Sequence, residues 1–186
     1  MANKEKSIKI IAIKPGTKHL AVAVLDNEDL VYWINKRIRY SGMSNTQVIK
    51  NLEDSLTKLF DFWKPEVIAV EDIFYAPSIK NKLLDIVMKK IKNLGKTRKI
   101  KVYFYSPLLV RKFFCKEEKI NKMNTAKLLT NLYPWLYEKY QREKKKRWYK
   151  IKFGLRIFDA IAVGLFCYYQ LKNKKVFIPS SKRSLL

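Results

Sequence analysis

Apolar positions divide the chain into segments of two periods. Residues 7–13, SIKIIAI, form a β-branched apolar run, and Pro15-Gly16-Thr17 follows as turn chemistry. Leu20 to Leu25 is a second apolar run, closed by the polar turn Asp26-Asn27-Glu28-Asp29. Leu30 to Tyr40 then sets Val31, Trp33, Ile38 and Tyr40 among basic residues. Three strands joined by two short turns predict an antiparallel meander. From Asn45 the period lengthens: Val48, Ile49, Leu52, Leu56, Leu59, Phe60 and Trp63 recur at helical spacing, and Pro65 closes the segment. Glu66 to Val70 reads as a short buried strand that ends on Glu71-Asp72. A basic helix follows, with Leu83, Leu84, Ile86, Val87 and Ile91 apolar and Gly95 as its expected cap. Lys101 to Tyr105 is another strand, and Ser106-Pro107 opens a helix with Ser as N-cap and Pro at the first helical position. The segment from Asn121 to Lys146 is helical in two pieces interrupted at Pro134. A last long helix runs from about Leu155 to Leu171.

A meander followed by helix, strand, helix, strand and helices predicts an α/β domain, with a mixed sheet and helices on both faces. Two-layer α+β packing is the structural alternative. There is no internal repeat. Residues 1–175 are expected to form one domain and residues 176–186 a short basic tail. The N-terminal residues carry no apolar run of signal-peptide length, and no stretch approaches a membrane span, so a cytoplasmic location is expected. Cys115 and Cys167 lie in apolar surroundings at no metal or redox spacing, and are expected as reduced core residues.

Charge sharpens this picture. The 186 residues hold 40 Lys+Arg against 16 Asp+Glu, a net charge of +24. With 48% hydrophobic residues and 10 Phe, 11 Tyr and 4 Trp, the chain is no disordered basic tail, because such tails lack the side chains to build a core. The excess exceeds what solubility needs and points to a polyanion, nucleic acid first. Two runs concentrate it. Residues 80–99 hold Lys80, Lys82, Lys89, Lys90, Lys92, Lys96, Arg98 and Lys99 against Asp85 alone. From Lys139 to Lys152 come Arg142, Lys144, Lys145, Lys146, Arg147 and Lys150, with Trp148 and Tyr149 interleaved. Such charge binds phosphates without reading bases, with an affinity that falls steeply with salt. It is not gathered on one amphipathic helix, so no membrane partner is expected.

In so basic a chain, acids at strand ends or inside apolar runs are informative. Glu71 ends the apolar strand VIAVED, and Asp159 sits inside the apolar helix LRIFDAIAVGLF, where a carboxylate needs a partner. A local partner for Asp159 is Arg156, one turn earlier. These positions carry a resemblance. IIAIKPGTKHLAVAVLD is similar to the first strand and turn of the RuvC-like Holliday junction resolvases, a branch of the RNase H-like superfamily, normally I-D-P-G-T/S. VIAVEDIFYAP resembles the family's strand ending in Glu-Gln-Val-Phe, and FDAIAVGL its last motif, an Asp before a small-apolar helix. The resemblance covers about residues 7–172. It implies an RNase H-like mixed sheet, a three-strand antiparallel meander plus two parallel strands, with helices on both faces.

In that family four acidic or acid-like residues hold two Mg²⁺ ions for phosphodiester hydrolysis. Carried over by position, Glu71 matches the second-motif Glu and Asp159 the final Asp. The first-strand Asp falls on Lys14, and the position three before the final Asp falls on Arg156. Half of the metal cage is thus basic, and a Lys ammonium there competes with a metal for the carboxylates. Asp72 alternates to the other strand face and makes a poor replacement ligand. No metal or other cofactor is expected, with Glu71 and Asp159 as the ligands if Mg²⁺ is used after all. Phe74 matches the family aromatic that stacks on unpaired bases, and Tyr75 stands beside it. Lys122 resembles the basic residue near the scissile phosphate. The expectation is a homodimeric protein that recognises branched DNA by shape, with two-metal cleavage impaired or lost. An active Mg²⁺-dependent junction endonuclease and an RNA-binding RNase H-fold protein are the alternatives. His19 is given no role.

Overall fold

The computed structural model describes residues 7–72, 81–115, 119–146 and 154–173. Five strands form one sheet: β1 (Lys9–Lys14), β2 (His19–Asp26), β3 (Asp29–Arg37), β4 (Val67–Glu71) and β5 (Lys101–Tyr105), in the order β3-β2-β1-β4-β5. The first three pair antiparallel, and β4 and β5 continue the sheet in parallel with β1. The predicted meander and the two parallel additions are therefore present. β1 runs one residue further than its apolar run, so Lys14 belongs to the strand.

Among the described residues six helices accompany the sheet: α1 (Asn45–Trp63), α2 (Lys82–Thr97), α3 (Pro107–Phe114), α4 (Lys122–Leu132), α5 (Tyr137–Lys144) and α6 (Arg156–Lys172), with a 3₁₀ turn at Pro134–Leu136. Local chemistry sets their ends. Ser44 caps α1 in a reciprocal box with Gln47. Ser106 caps α3 ahead of Pro107, as the sequence predicts. Gly95 is not the cap of α2. It lies buried inside the helix, where a Cβ would come 2.3 Å from Val102 Cγ2, and Arg98 closes the helix instead. The glycine there serves close packing on β5.

Alternation along the strands splits the core in two. Ile11, Ile13, Val22, Val24, Ile68 and Val70 pack under α1 and α2. Ile10, Ala12, Ala21, Ala23, Val67 and Ala69 face the other way, under α6. Their small side chains let α6 settle close to the sheet. At Gly164 a Cβ would meet Leu25 Cδ1 at 2.3 Å and Ala12 Cβ at 2.9 Å. Both cysteines are buried and unpaired. Among the described residues no helix is long and apolar enough to cross a membrane. Residues 174–186, most of them the expected tail, lie outside the described segments.

Candidate nucleic-acid site at the end of the sheet

β1 and β4 lie side by side with Ile13 opposite Val70, so Lys14 and Glu71 follow at the same sheet end. Each shares the α6-facing parity of Ala12 and Ala69. α6 delivers Asp159 to this place in its first turn, where a carboxylate also favours the helix dipole. Glu71 and Asp159 are 3% and 6% exposed, so their charges need partners.

Those partners are cations. Lys14 Nζ donates to Glu71 Oε1. Lys122 Nζ, from the start of α4, donates to Asp159 Oδ2 at 2.6 Å, and the Arg111 guanidinium of α3 lies 3.5 Å from Oδ1. Burial pushes the Glu71 carboxyl up, and Asp159 adds to the rise while Lys14 opposes it. Burial pulls the Lys14 ammonium down against the attraction of Glu71 and Asp159. Lys14, Lys122 and Arg111 thus surround the two acids in an ion cluster contributed by β1, β4, α3, α4 and α6.

Arg156 is close by, but its hydrogen bonds go elsewhere. Its Nη2 donates to the carbonyls of Pro15 at 2.7 Å, His19 at 3.1 Å and Lys14 at 3.5 Å. It clasps the β1–β2 turn, and the ion-pair partners of Asp159 are Arg111 and Lys122, not Arg156. Gly16 is what permits the clasp, since a Cβ there would come 2.2 Å from Arg156 Nη2. Burial lowers the Arg156 guanidinium from its ordinary value, while Asp159 and Glu71 raise it.

The structure thus brings Lys14, Glu71, Lys122, Arg156 and Asp159 together. Arg111 escaped the sequence reading, for it has no local signal: only packing of α3 on α6 sets it beside Asp159. Among the basic-run residues, Lys82, Lys89, Lys144 and Lys145 are exposed. Lys90 is held by Glu53 at 2.9 Å, across the α1–α2 contact. Phe74, Tyr75, Lys80 and Arg147 lie outside the described residues. Among the described residues no group of three or more His, Cys, Asp or Glu side chains could hold a metal ion.

The strand order, with a meander extended by two parallel strands and acids gathered where β1 and β4 end, defines an RNase H-like protein. A family model described as Crossover junction endodeoxyribonuclease RuvC matches residues 10–141, and the chain belongs to that family. The matched stretch takes in Lys14 and Glu71 and ends before Asp159. Solved structures agree on the fold. Thermus thermophilus RuvC is 16% identical with a TM-score of 0.66, over 89% of this chain and 96% of that one. T. thermophilus RuvC in complex with a Holliday junction substrate is also 16% identical, with a TM-score of 0.65 over 87% and 94%. The yeast mitochondrial Holliday junction resolvase Ydc2 is 12% identical, with a TM-score of 0.63 over 89% and 80%. No curated protein matches by sequence.

Proposed function

We propose that this chain binds branched DNA of the Holliday junction type, as a homodimer, and that two-metal cleavage is impaired or lost in it. The observation that carries the reading is the pairing of each buried carboxylate with a basic side chain: Glu71 with Lys14, Asp159 with Lys122 and Arg111. Mg²⁺ takes near-octahedral oxygen coordination. Two carboxylates already neutralised by ammonium and guanidinium groups do not fit a pair of such ions. Binding needs none. The net charge of +24 and the exposed lysines of α2 and α5 supply phosphate contacts. Dimerisation is assigned to α2, which leaves Ile86 48% exposed.

The test is a nicking assay on a four-way junction with Mg²⁺ or Mn²⁺, run beside a binding assay with Glu71→Gln as control. Binding without metal-dependent nicking is expected. Nicking that disappears in Glu71→Gln would overturn the binding-only reading and favour an active endonuclease. A second arm reads the metal directly: Lys14→Asp with Arg156→Asp is expected to gain Mn²⁺ binding, measured by titration calorimetry, where the parent chain has none. Sedimentation of Ile86→Lys checks the dimer, with a shift to monomer expected. RNA preference is read by competition with structured RNA at matched salt, and junction DNA is expected to win.

A further inference from the structure

The β1–β2 turn has a second, outward side. Ile38 and Arg39 donate their backbone N–H groups to the Lys18 carbonyl, at 2.9 and 3.3 Å, and His19 pairs with Arg37 in the ladder. These bonds fold the end of β3 back beside the turn. An open cleft of about 360 Å³ results, lined chiefly by Lys18, His19, Arg37, Arg39, Tyr40 and Gly42. None of its lining residues is acidic. Arg37 is fixed by a 2.8 Å bond from Nε to the Arg39 carbonyl, with its guanidinium 5.4 Å above the Tyr40 ring. Arg39 bonds Asn45 Oδ1 through Nη2, yet its Nε is buried with no hydrogen-bond partner. Lys18, Arg37 and Arg39 set three cations around the cleft with no carboxylate on its wall; they repel one another, and a bound anion relieves that repulsion.

We propose that this cleft takes a backbone phosphate of bound nucleic acid, from the strand that passes from the Glu71–Asp159 site across the β1–β2 turn. The inference rests on the nucleic-acid reading above and adds a location to it. The two places share the turn itself: Lys14, which holds Glu71, enters it, and His19, whose carbonyl Arg156 holds, leaves it. The Arg37 and Arg39 guanidinium groups supply the forked donors that fit phosphate oxygens. Tyr40, 49% exposed at the rim, offers a ring for an adjoining base.

His19 is the only histidine, so its ring protons report on the cleft alone in an NMR spectrum of the full chain. Inorganic pyrophosphate is expected to shift them saturably. Lys18→Ala with Arg37→Ala, both exposed positions, is expected to abolish that shift. The same variant should weaken four-way-junction binding about tenfold, and flatten the slope of log affinity against log salt by about 1–2. Arg37→Lys in the Lys18 background is expected to recover part of the loss. Junction binding with an unchanged slope in the variant, and His19 signals unmoved by pyrophosphate, overturn the cleft and leave the proposed function standing. A saturable pyrophosphate shift in a chain that binds no junction overturns the nucleic-acid assignment together with the function it rests on.

Discussion

At the scale of single residues, Lys14 decides how the buried acids are neutralised. Its ammonium holds Glu71 at the end of β1, where neither group reaches much water. Lys14→Met leaves the carboxylate buried and unpaired, at a cost of about 3–5 kcal/mol. Lys14→Met with Glu71→Leu removes both charges and is expected to recover most of that loss, because a buried pair replaced by apolar groups is often neutral in stability. Urea denaturation of the parent, the single and the double variant measures the difference, and a double variant no more stable than the single one would sink the account. His19 makes the same point with a proton. Burial, then Arg156, Arg37 and Lys18, hold its imidazole below the usual value of 6.5. Above pH 6.5 it is neutral in both folded and unfolded chains and costs nothing. As pH falls below that value the unfolded chain takes up a proton first, so native stability falls, and the loss is complete below the folded-state value. His19→Gln is expected to gain on the parent as pH drops through this window, in denaturation curves between about pH 8 and pH 5.

Among elements, α6 determines whether the site assembles, and it does so through small residues. Its face toward β1 and β2 uses Ala160 and Gly164 against Ala12, Ala21 and Ala23. Gly164→Ala improves helix propensity by up to about 1 kcal/mol, but its Cβ meets Ala12 Cβ, which cannot swing aside. A net loss of about 1–2 kcal/mol is expected in thermal unfolding, with weaker nucleic-acid binding because Asp159 rides on the same helix. A gain in stability would show that α6 has room to move away from the sheet. The elements themselves were readable from periodicity and turn chemistry: the meander from its two polar turns, α1 from its apolar spacing, α3 from Ser106-Pro107. Gly95 shows where such reading stops, since a glycine near a helix end signals a cap and a packing contact alike. Glu71 and Asp159 were legible because a carboxylate inside an apolar run is costly and so conspicuous. Arg111 on Asp159, Arg156 on the turn carbonyls and the Arg37–Arg39 cleft were not. Each depends on which elements pack together, and in a chain with 40 basic residues one more Lys or Arg carries no local signal.

Over the whole molecule, the basic excess is partly consumed inside the protein. Lys14, Arg111 and Lys122 neutralise buried acids, while Lys90, Arg98 and Lys146 pair with Glu53, Asp61 and Glu143. Among the described residues, further cations lie along α2, α5 and the cleft beside the β1–β2 turn, on more than one side of the fold. A nucleic acid that touches only one side meets a few lysines, whereas a branched one reaches several at once. Counterion release then separates the two cases. For six to ten phosphates neutralised, log affinity falls against log salt with a slope of about −5 to −9, a loss of about 10³–10⁵ between 50 and 200 mM. That slope is expected for a four-way junction, and a clearly shallower one for linear duplex of equal length. Because the steeper slope erodes affinity faster, the preference for the junction over duplex is expected to be widest at about 50 mM salt and to narrow toward about 200 mM. Fluorescence anisotropy over a salt series measures both slopes. Equal slopes and equal affinities for the two ligands would reduce the charge to a general polyanion surface and remove the basis for branch recognition.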